Sequence, residues 1–362
     1  MQCTEGLIMK GSVILDTIYI HVKYPNRDVF DRWHEPIQYV DSRILRQGIA
    51  TENFTVRGGS AGYKISLWQH DARIFLTDQV DQKCGEGMGM GIWVQLGPKF
   101  IIQEMNNLHQ AVQDLLSQAG VKGSYPMSIT RLDIAVDLFD VSMQDQDVLY
   151  WSENWVGRSK LSGVFYNSRT AMLETFYIGS RKSPVFLRIY DKVAQSKAEG
   201  DYPYWCDVWG GFEGNVTRIE WEIKPKDGNF SNDIRDFEIF NGFSIRELLA
   251  YLVDWGRLCI PNNEDSNRRR WEDSPLWKNL RELVIDWSDG MHMPTSRLGK
   301  EFKGLTDQYI KQLSGALSGG MARFNPENPT MLEMFEGLMR RGEPLEKINK
   351  KAEQKAGILK NL

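Results

Sequence analysis

Cysteine is scarce. Its four copies, Cys3, Cys84, Cys206 and Cys259, are scattered with no C-x-x-C pair, which argues against a disulfide frame or a cysteine zinc site. They suit reduced thiols in a cytoplasmic protein of a bacterial cell. No segment reaches the run of roughly eighteen apolar residues that a membrane helix needs, so no membrane partner is expected. Met1 to Lys10 lacks a basic stretch followed by an apolar core, and no secretory signal is expected either. A large excess of positive charge is also missing. The net charge is −4, which argues against a protein that coats nucleic acid non-specifically but leaves room for a local basic surface. There is no internal repeat. The glycines at Gly85, Gly87, Gly89 and Gly91 are not followed by Gly-Lys-Ser/Thr, so they form no P-loop and no nucleotide hydrolysis is expected.

What is present is an ordinary globular composition, 41% hydrophobic and 25% charged over 362 residues, rich in Trp, Tyr and Phe. Most of these rings should pack in a core, with base stacking open to some. Val13 to Lys23 reads as an opening strand. Asp28 to Arg46 is helix-like, interrupted at Pro36. Phe54 to Leu76 reads as two short strands around a glycine turn, and Ile92 to Leu96 as another. Phe100 to Ala119 has helical apolar spacing with Gly120 as its stop, and Gln144 to Trp155 is a further helix. Strands follow at Ile129 to Leu138, Leu173 to Ser180, Val185 to Lys192 and Thr217 to Lys224. Ser244 to Leu258 opens as a helix with Ser244 as N-cap and Glu247 completing a capping box. Helices are also expected at Pro275 to Trp287 and Thr306 to Leu317, and Glu343 to Leu362 reads as a charged helix or tail rich in lysine. The pattern is an α+β fold with a central antiparallel sheet over residues 1–240, then a helical C-terminal region over 241–362.

Three strands share an unusual alternation. Arg131, Asp133, Ala135 and Asp137 point one way; Leu132, Ile134, Val136 and Leu138 point the other. Arg188, Tyr190 and Lys192 share one face of the next, and Arg218, Glu220, Glu222 and Lys224 one face of the last. A sheet with one face in water explains alternation. It explains less well why the polar positions are Asp, Glu, Arg, Lys and one Tyr, with hardly any Ser, Thr or Gln.

Such a face supports definite chemistry. Carboxylates are hard ligands suited to Mg2+ or Mn2+, which polarise phosphodiester oxygens. Arginine and lysine neutralise charge at phosphorus, and a tyrosine hydroxyl can attack it and hold the DNA end covalently. Tyr190 lies between Arg188 and Lys192, which should favour its phenolate. Asp133 and Asp137 are about 13 Å apart along their strand, too far to share one ion directly, whereas Glu220 and Glu222 are about 7 Å apart. Asp133 and Glu220 are therefore the favoured metal pair, with Glu222 and Asp137 as second choices; a surface ion pair with Arg131 or Arg218 is the plain alternative for any one of them.

At these positions the chain resembles the replication initiation factor family of rolling-circle plasmid and filamentous-phage initiators and conjugative-element relaxases. Ile129-Thr-Arg-Leu-Asp-Ile-Ala-Val-Asp-Leu138 is similar to its Arg-x-Asp-x-Ala-x-Asp strand. Thr175-Phe-Tyr-Ile-Gly-Ser-Arg-Lys-Ser183 with Leu187-Arg-Ile-Tyr-Asp-Lys192 is similar to its nucleophile block, and the strand from Arg218 to Glu222 to its Arg-x-Glu strand. Ile14 to Ile20 and the glycine run before Trp93 fit more loosely. The resemblance implies a nicking domain related to endonucleases with a His-hydrophobic-His metal motif, but without that motif; none of His21, His34, His70, His109 and His292 forms an H-x-H pair, so metal binding should rest on carboxylates. It implies Tyr190 as nucleophile, a 5′-phosphotyrosine link and a free 3′ hydroxyl, and the cations of the charged face expected to stabilise the phosphate are Arg188, Lys192 and Arg218. Single-stranded or hairpin origin DNA, host helicase and host polymerase are the implied partners; a homodimer is left open, as is the type of mobile element.

Other residues read more weakly as DNA contacts. Tyr177 is a packing or DNA-contacting ring, and Arg131 and Lys224 flank the carboxylates. Arg181 and Lys182 form a phosphate contact or a solvated turn. Arg268, Arg269 and Arg270 grip a backbone, with stacking from Trp271, or form a solvated basic turn between acidic neighbours. The Lys347 to Lys360 tail is a solvated face or one more phosphate contact. Two rival functions remain: a non-catalytic origin-binding protein or repressor on the same fold, and a carbohydrate hydrolase using Glu220 and Glu222, which same-face neighbouring glutamates suit poorly.

Overall fold

Period-two alternation of Val, Ile, Leu and Trp drives the segments that build the central sheet into strands. The computed structural model describes residues 11–23, 27–78, 90–143, 148–166, 169, 173–225, 230 and 232–287, all within the unit Met1–Leu298. Strand β1 (Gly11–Val22) is followed by α1 (Arg27–His34), a 3-10 turn at Glu35–Ile37 and α2 (Ser42–Gln47). Pro36 accounts for the break, since it cannot donate to the preceding turn. Strands β2 (Ile49–Ala50), β3 (Thr55–Gly58), β4 (Ile65–Gln69), β5 (Ala72–Leu76) and β6 (Ile92–Leu96) come next. The segment expected to hold two strands thus holds three, because the β4–β5 turn is made by His70 with φ +49° and has no glycine to mark it.

Helices α3 (Pro98–Glu104) and α4 (Leu108–Gln118) replace the single expected helix; a 3-10 turn, Met105–Asn107, separates them, and Gly120 at φ +99° ends the pair. Then come β7 (Met127–Phe139), α5 (Val148–Asn154), β8 (Trp155–Gly157), β9 (Ser162–Tyr166), β10 (Leu173–Ile178) and β11 (Val185–Asp191). Lys192 does not continue that strand. It opens α6 (Lys192–Glu199), because the Asp191 side chain caps the helix by accepting from the Ala194 amide at 2.8 Å. The remaining elements are α7 (Tyr202–Val208), β12 (Val216–Ile223), α8 (Asn232–Arg235), α9 (Gly242–Trp255), β13 (Gly256–Leu258) and α10 (Pro275–Trp287). Ser244 lies inside α9 rather than capping it; its amide donates to Asn241 Oδ1 at 3.3 Å. The helix expected at 306–317 and the helix or tail at 343–362, including Lys347 to Lys360, lie outside the described residues.

Eleven strands form one sheet in the order β2-β3-β4-β5-β6-β1-β7-β12-β11-β10-β9, with antiparallel neighbours throughout; β8 and β13 pair separately. The fold is α+β. One face of the sheet carries the apolar set, including Ile18, Leu67, Val94, Ile134, Leu187 and Trp221. It packs against Val112 and Leu115 of α4, Leu248 and Leu252 of α9, and Trp277 and Leu280 of α10 in a single cluster. Residues 242–287 are therefore part of the same core as the sheet. The opposite face has a small second cluster, in which Trp205 of α7 and Trp209 at its C-terminal cap cover Ile14, Ala135 and Val216. That cover closes the middle of the charged face, and all eight residues of β12 are buried.

Trp277 anchors α10 by complete burial and by its indole N–H, which donates to the Val253 carbonyl at 3.1 Å. Trp277→Ala should cost about 3–5 kcal/mol from lost burial and a residual cavity. Urea unfolding of the full chain checks this; an unchanged midpoint would show that α10 contributes nothing to the core.

Candidate active site

The register of the middle strands decides which charges meet. Across β7, β12 and β11, Asp133 lies opposite Glu222, Arg218 lies between Asp137 and Tyr190, and Glu220 faces Arg188. On the other side of β7, the pairing with β1 slips between Leu15 and Thr17. Asp16 is the extra residue of this bulge, and bulges re-aim a side chain. Asp16, Asp133 and Glu220 each bring a carboxylate oxygen within 4.8 Å of the other two.

Cations surround this cluster. Arg131 grips both oxygens of Asp133, at 2.8 and 2.5 Å. Arg188 pairs with Glu220 and stands 3.6 Å from Asp133. The Tyr190 hydroxyl donates to Glu220 Oε2 at 2.6 Å. Below them Arg218, with no exposed side-chain surface, binds Asp137 through Nε at 2.6 Å and Nη2 at 2.8 Å, and Asp16 through Nη1 at 2.6 Å. The Trp209 indole donates to Asp137 Oδ2 at 2.8 Å. Trp205 lies 4.3 Å from the Arg218 guanidinium and 4.0 Å from Lys192 Nζ. The helix pair α6–α7 thus seals the charged floor with indoles.

Several expectations change in this setting. Tyr190 is not poised as a phenolate: burial first, then the Glu220 carboxylate, push its pKa well above the ordinary value, and together they outweigh Arg218. Arg218 is enclosed by three strands and two tryptophans, so its charge is spent on Asp137 and Asp16 rather than offered to a phosphate. Asp137 has both oxygens engaged by Arg218 and Trp209 and stands outside the carboxylate triad. Glu222 stands outside it too, bound to Lys224 at 2.7 Å and Arg131 at 3.1 Å. Burial raises the Glu222 pKa, but these two cations more than offset it and hold it below the usual range. Lys192 is buried beside Gln195, 2.6 Å away, and burial followed by Arg218 push it down to about 8. Asp16 was missed. Its signal was a single acid inside Val13-Ile-Leu-Asp-Thr-Ile-Tyr-Ile20, but only the bulge brings it to Asp133.

The other singled-out residues lie further out. Tyr177 sits opposite Arg188 on β10, its ring stacked on Phe186 and edge-on to Phe165. Arg181 and Lys182 are exposed in the β10–β11 turn, which Gly179 enters at φ +98°, and the Lys224 ammonium donates to the Arg181 carbonyl. Arg268–Arg270 form an exposed 3-10 turn; Arg270 is held by Asp265 at 2.7 Å, and Arg268 lies 4.9 Å from the Trp271 ring.

Asp16, Asp133 and Glu220 make an all-oxygen donor set that fits a hard divalent ion such as Mg2+ or Mn2+. Each carboxylate has lone pairs beyond those its arginine uses. Crowding tells the same way: burial, and after it the nearby Glu220, push Asp133 up to about 7 despite Arg131.

A carboxyl raised on folding binds more protons in the folded state. Its stabilising contribution is complete below its unfolded value, about 3.9, and is lost as pH rises through about 7. Metal-free protein should lose this increment over that window, and Asp133→Asn should abolish the dependence; thermal melts across the range check both. Removing one partner of the enclosed pair by Arg218→Met should destabilise by about 3–5 kcal/mol, because Asp137 stays buried without a counter-charge. Chemical unfolding measures this, and a neutral result would mean water reaches Asp137.

No curated protein matches the chain significantly. A solved rolling circle replication initiator protein from Geobacillus stearothermophilus is similar at 17% identity and a TM-score of 0.49, covering 80% of this chain and 100% of its own. The family model described as replication initiation factor matches residues 127–285, the segment that holds β7, β11, β12 and the carboxylates Asp133 and Glu220. Over that segment the chain is similar to the replication initiation factor family.

Proposed function

We propose that the chain is a rolling-circle replication initiator that nicks one DNA strand at an origin and keeps the 5′ end on Tyr190. The observation that carries this reading is the Tyr190 hydroxyl bonded at 2.6 Å to Glu220, itself one of three converging carboxylates. Residues 1–240 carry this chemistry, and α9 and α10 pack on the apolar face of the sheet that holds it.

In the reaction, Tyr190 Oη attacks phosphorus while its proton passes to Glu220 Oε2. The P–O3′ bond breaks, leaving a 5′-phosphotyrosine and a 3′ oxygen that takes a proton from solvent to become the 3′ hydroxyl from which replication is primed. Tyr190 is held neutral until substrate is bound, so the nucleophile forms only when Glu220 takes its proton. Arg188 is half-buried and can meet the phosphate as negative charge develops. Arg218 acts indirectly, by holding Asp16 in place. Asp16, Asp133 and Glu220 would hold a divalent ion, which when bound supplies Lewis-acid polarisation of the phosphodiester. Host helicase and polymerase act downstream of the nick.

Labelled single-stranded DNA from the element, incubated with and without Mn2+ and run on a denaturing gel, tests the reading. A metal-dependent band at the mass of protein plus DNA is expected, absent in Tyr190→Phe and after chelation, while DNA binding persists. Asp16→Asn should raise the Mn2+ concentration for half-maximal adduct roughly 10- to 100-fold. Tight binding with no adduct on any strand would favour a non-catalytic origin-binding protein, and a normal adduct in Tyr190→Phe would move the nucleophile elsewhere.

A further inference from the structure

The charged face does not end at Arg131. Strand register carries the same face across β1, β6, β5, β4 and β3: Arg131 lies opposite Tyr19, Tyr19 opposite Gln95, Gln95 opposite Arg73, and Arg73 opposite Trp68. Arg57 joins it from β3, opposite Ser66. This half of the sheet precedes the family-matched segment and lies outside the α7 cover.

Its chemistry differs from that of the site. Around Asp133 and Glu220 every arginine is paired with carboxylates. On the face from β3 to β6 no carboxylate stands, and among the described residues neither Arg57 nor Arg73 forms an ion pair. Both guanidiniums are instead held by one ring: Arg57 lies 4.4 Å and Arg73 4.0 Å from the Trp68 centroid. The ring is fixed because its indole N–H donates to the buried Ser66 hydroxyl at 2.8 Å. Arg57 Nε is buried with no hydrogen-bond acceptor. Nearer the site, Trp93 is half-buried, stacked on Tyr63 at 5.8 Å and met edge-on by Tyr19 at 5.3 Å, while Tyr19 lies 5.0 Å from the Arg131 guanidinium. A fixed pair of arginines with no ion-pair partner among the described residues, beside a half-open aromatic row, matches what an unpaired strand offers, phosphates along its backbone and base faces beside them.

We infer that the β3–β6 half of this face is a track for single-stranded DNA, with Arg57 and Arg73 on backbone phosphates and Trp93 and Tyr19 beneath bases. From Trp68 to Arg131 the track crosses four strand spacings, roughly 19 Å, and it leads to the carboxylate triad. The inference extends the nicking reading by giving its substrate a path, and rests on that reading only for the direction in which the strand runs.

The test is fluorescence anisotropy of the full chain with a labelled oligothymidine, in chelator so that no cleavage intervenes. Arg57→Gln with Arg73→Gln should weaken binding at least tenfold and flatten the salt dependence by about 1.4 in log–log slope, about 0.7 for each phosphate no longer neutralised. Arg57→Lys with Arg73→Lys keeps the charges and should retain most of the slope. Unchanged affinity and slope in the glutamine pair, with a wild-type melting profile, would overturn the track. So would an equal loss on a duplex of the same length, which would make the patch a general phosphate surface. If the wild-type chain forms no tyrosine adduct and the glutamine pair still loses the oligonucleotide, the nicking reading falls and the track stands.

Discussion

The buried guanidinium of Arg218 is the constraint on which the site depends. A charge removed from water must be matched where it lies, or it is not tolerated. Arg218 is matched by a two-pronged bond to Asp137 on β7 and a third bond to Asp16 on β1, so one side chain ties three adjacent strands at their charged face. The indoles of Trp205 and Trp209 complete the enclosure from above. Breaking any part of this set would leave a buried charge unmatched, which is why the register of β1, β7 and β12 is strongly specified at that level.

The consequence for chemistry is positional. With Asp137 and one oxygen of Asp16 engaged by Arg218, the carboxylates left to converge are those one step further along the sheet, Asp133 and Glu220, with Asp16 reaching them from its bulge. Tyr190 and Arg188 lie on the same side, half-buried beyond the tryptophan cover. A charged floor sealed from water beside a half-buried rim is an arrangement in which burial shifts pKa values while access is kept. It also explains why the two halves of the face differ: the sealed half pairs its arginines with acids, and the half near Trp68 leaves Arg57 and Arg73 without an ion-pair partner among the described residues.

Much of this was legible in the chain. Alternation in Arg131 to Leu138, Val185 to Asp191 and Arg218 to Lys224 identified the strands, the shared charged face and the place of Tyr190 on it, because side chains on a strand must alternate whatever they pack against. Helix α10 was readable to its ends, since an apolar stripe at helical spacing opened by proline admits few other structures. The β4–β5 turn at His70 was not, because a left-handed histidine carries no residue signature.

The sequence by itself determined the α+β class, the charged strand face and the tyrosine among its cations, all of which follow from local periodicity. Only the tertiary structure decided which charges meet. Asp16 joins Asp133 and Glu220 through a one-residue slip between β1 and β7, Asp137 and Glu222 are drawn away by Arg218, Arg131 and Lys224, and Lys192 turns into a helix under the Asp191 cap. Tyr190 is held neutral although cations flank it in sequence, because desolvation and a carboxylate at hydrogen-bond distance outweigh them. The reason is physical: alternation is a property of one strand, whereas pairing register, bulges and burial arise between strands distant in the chain.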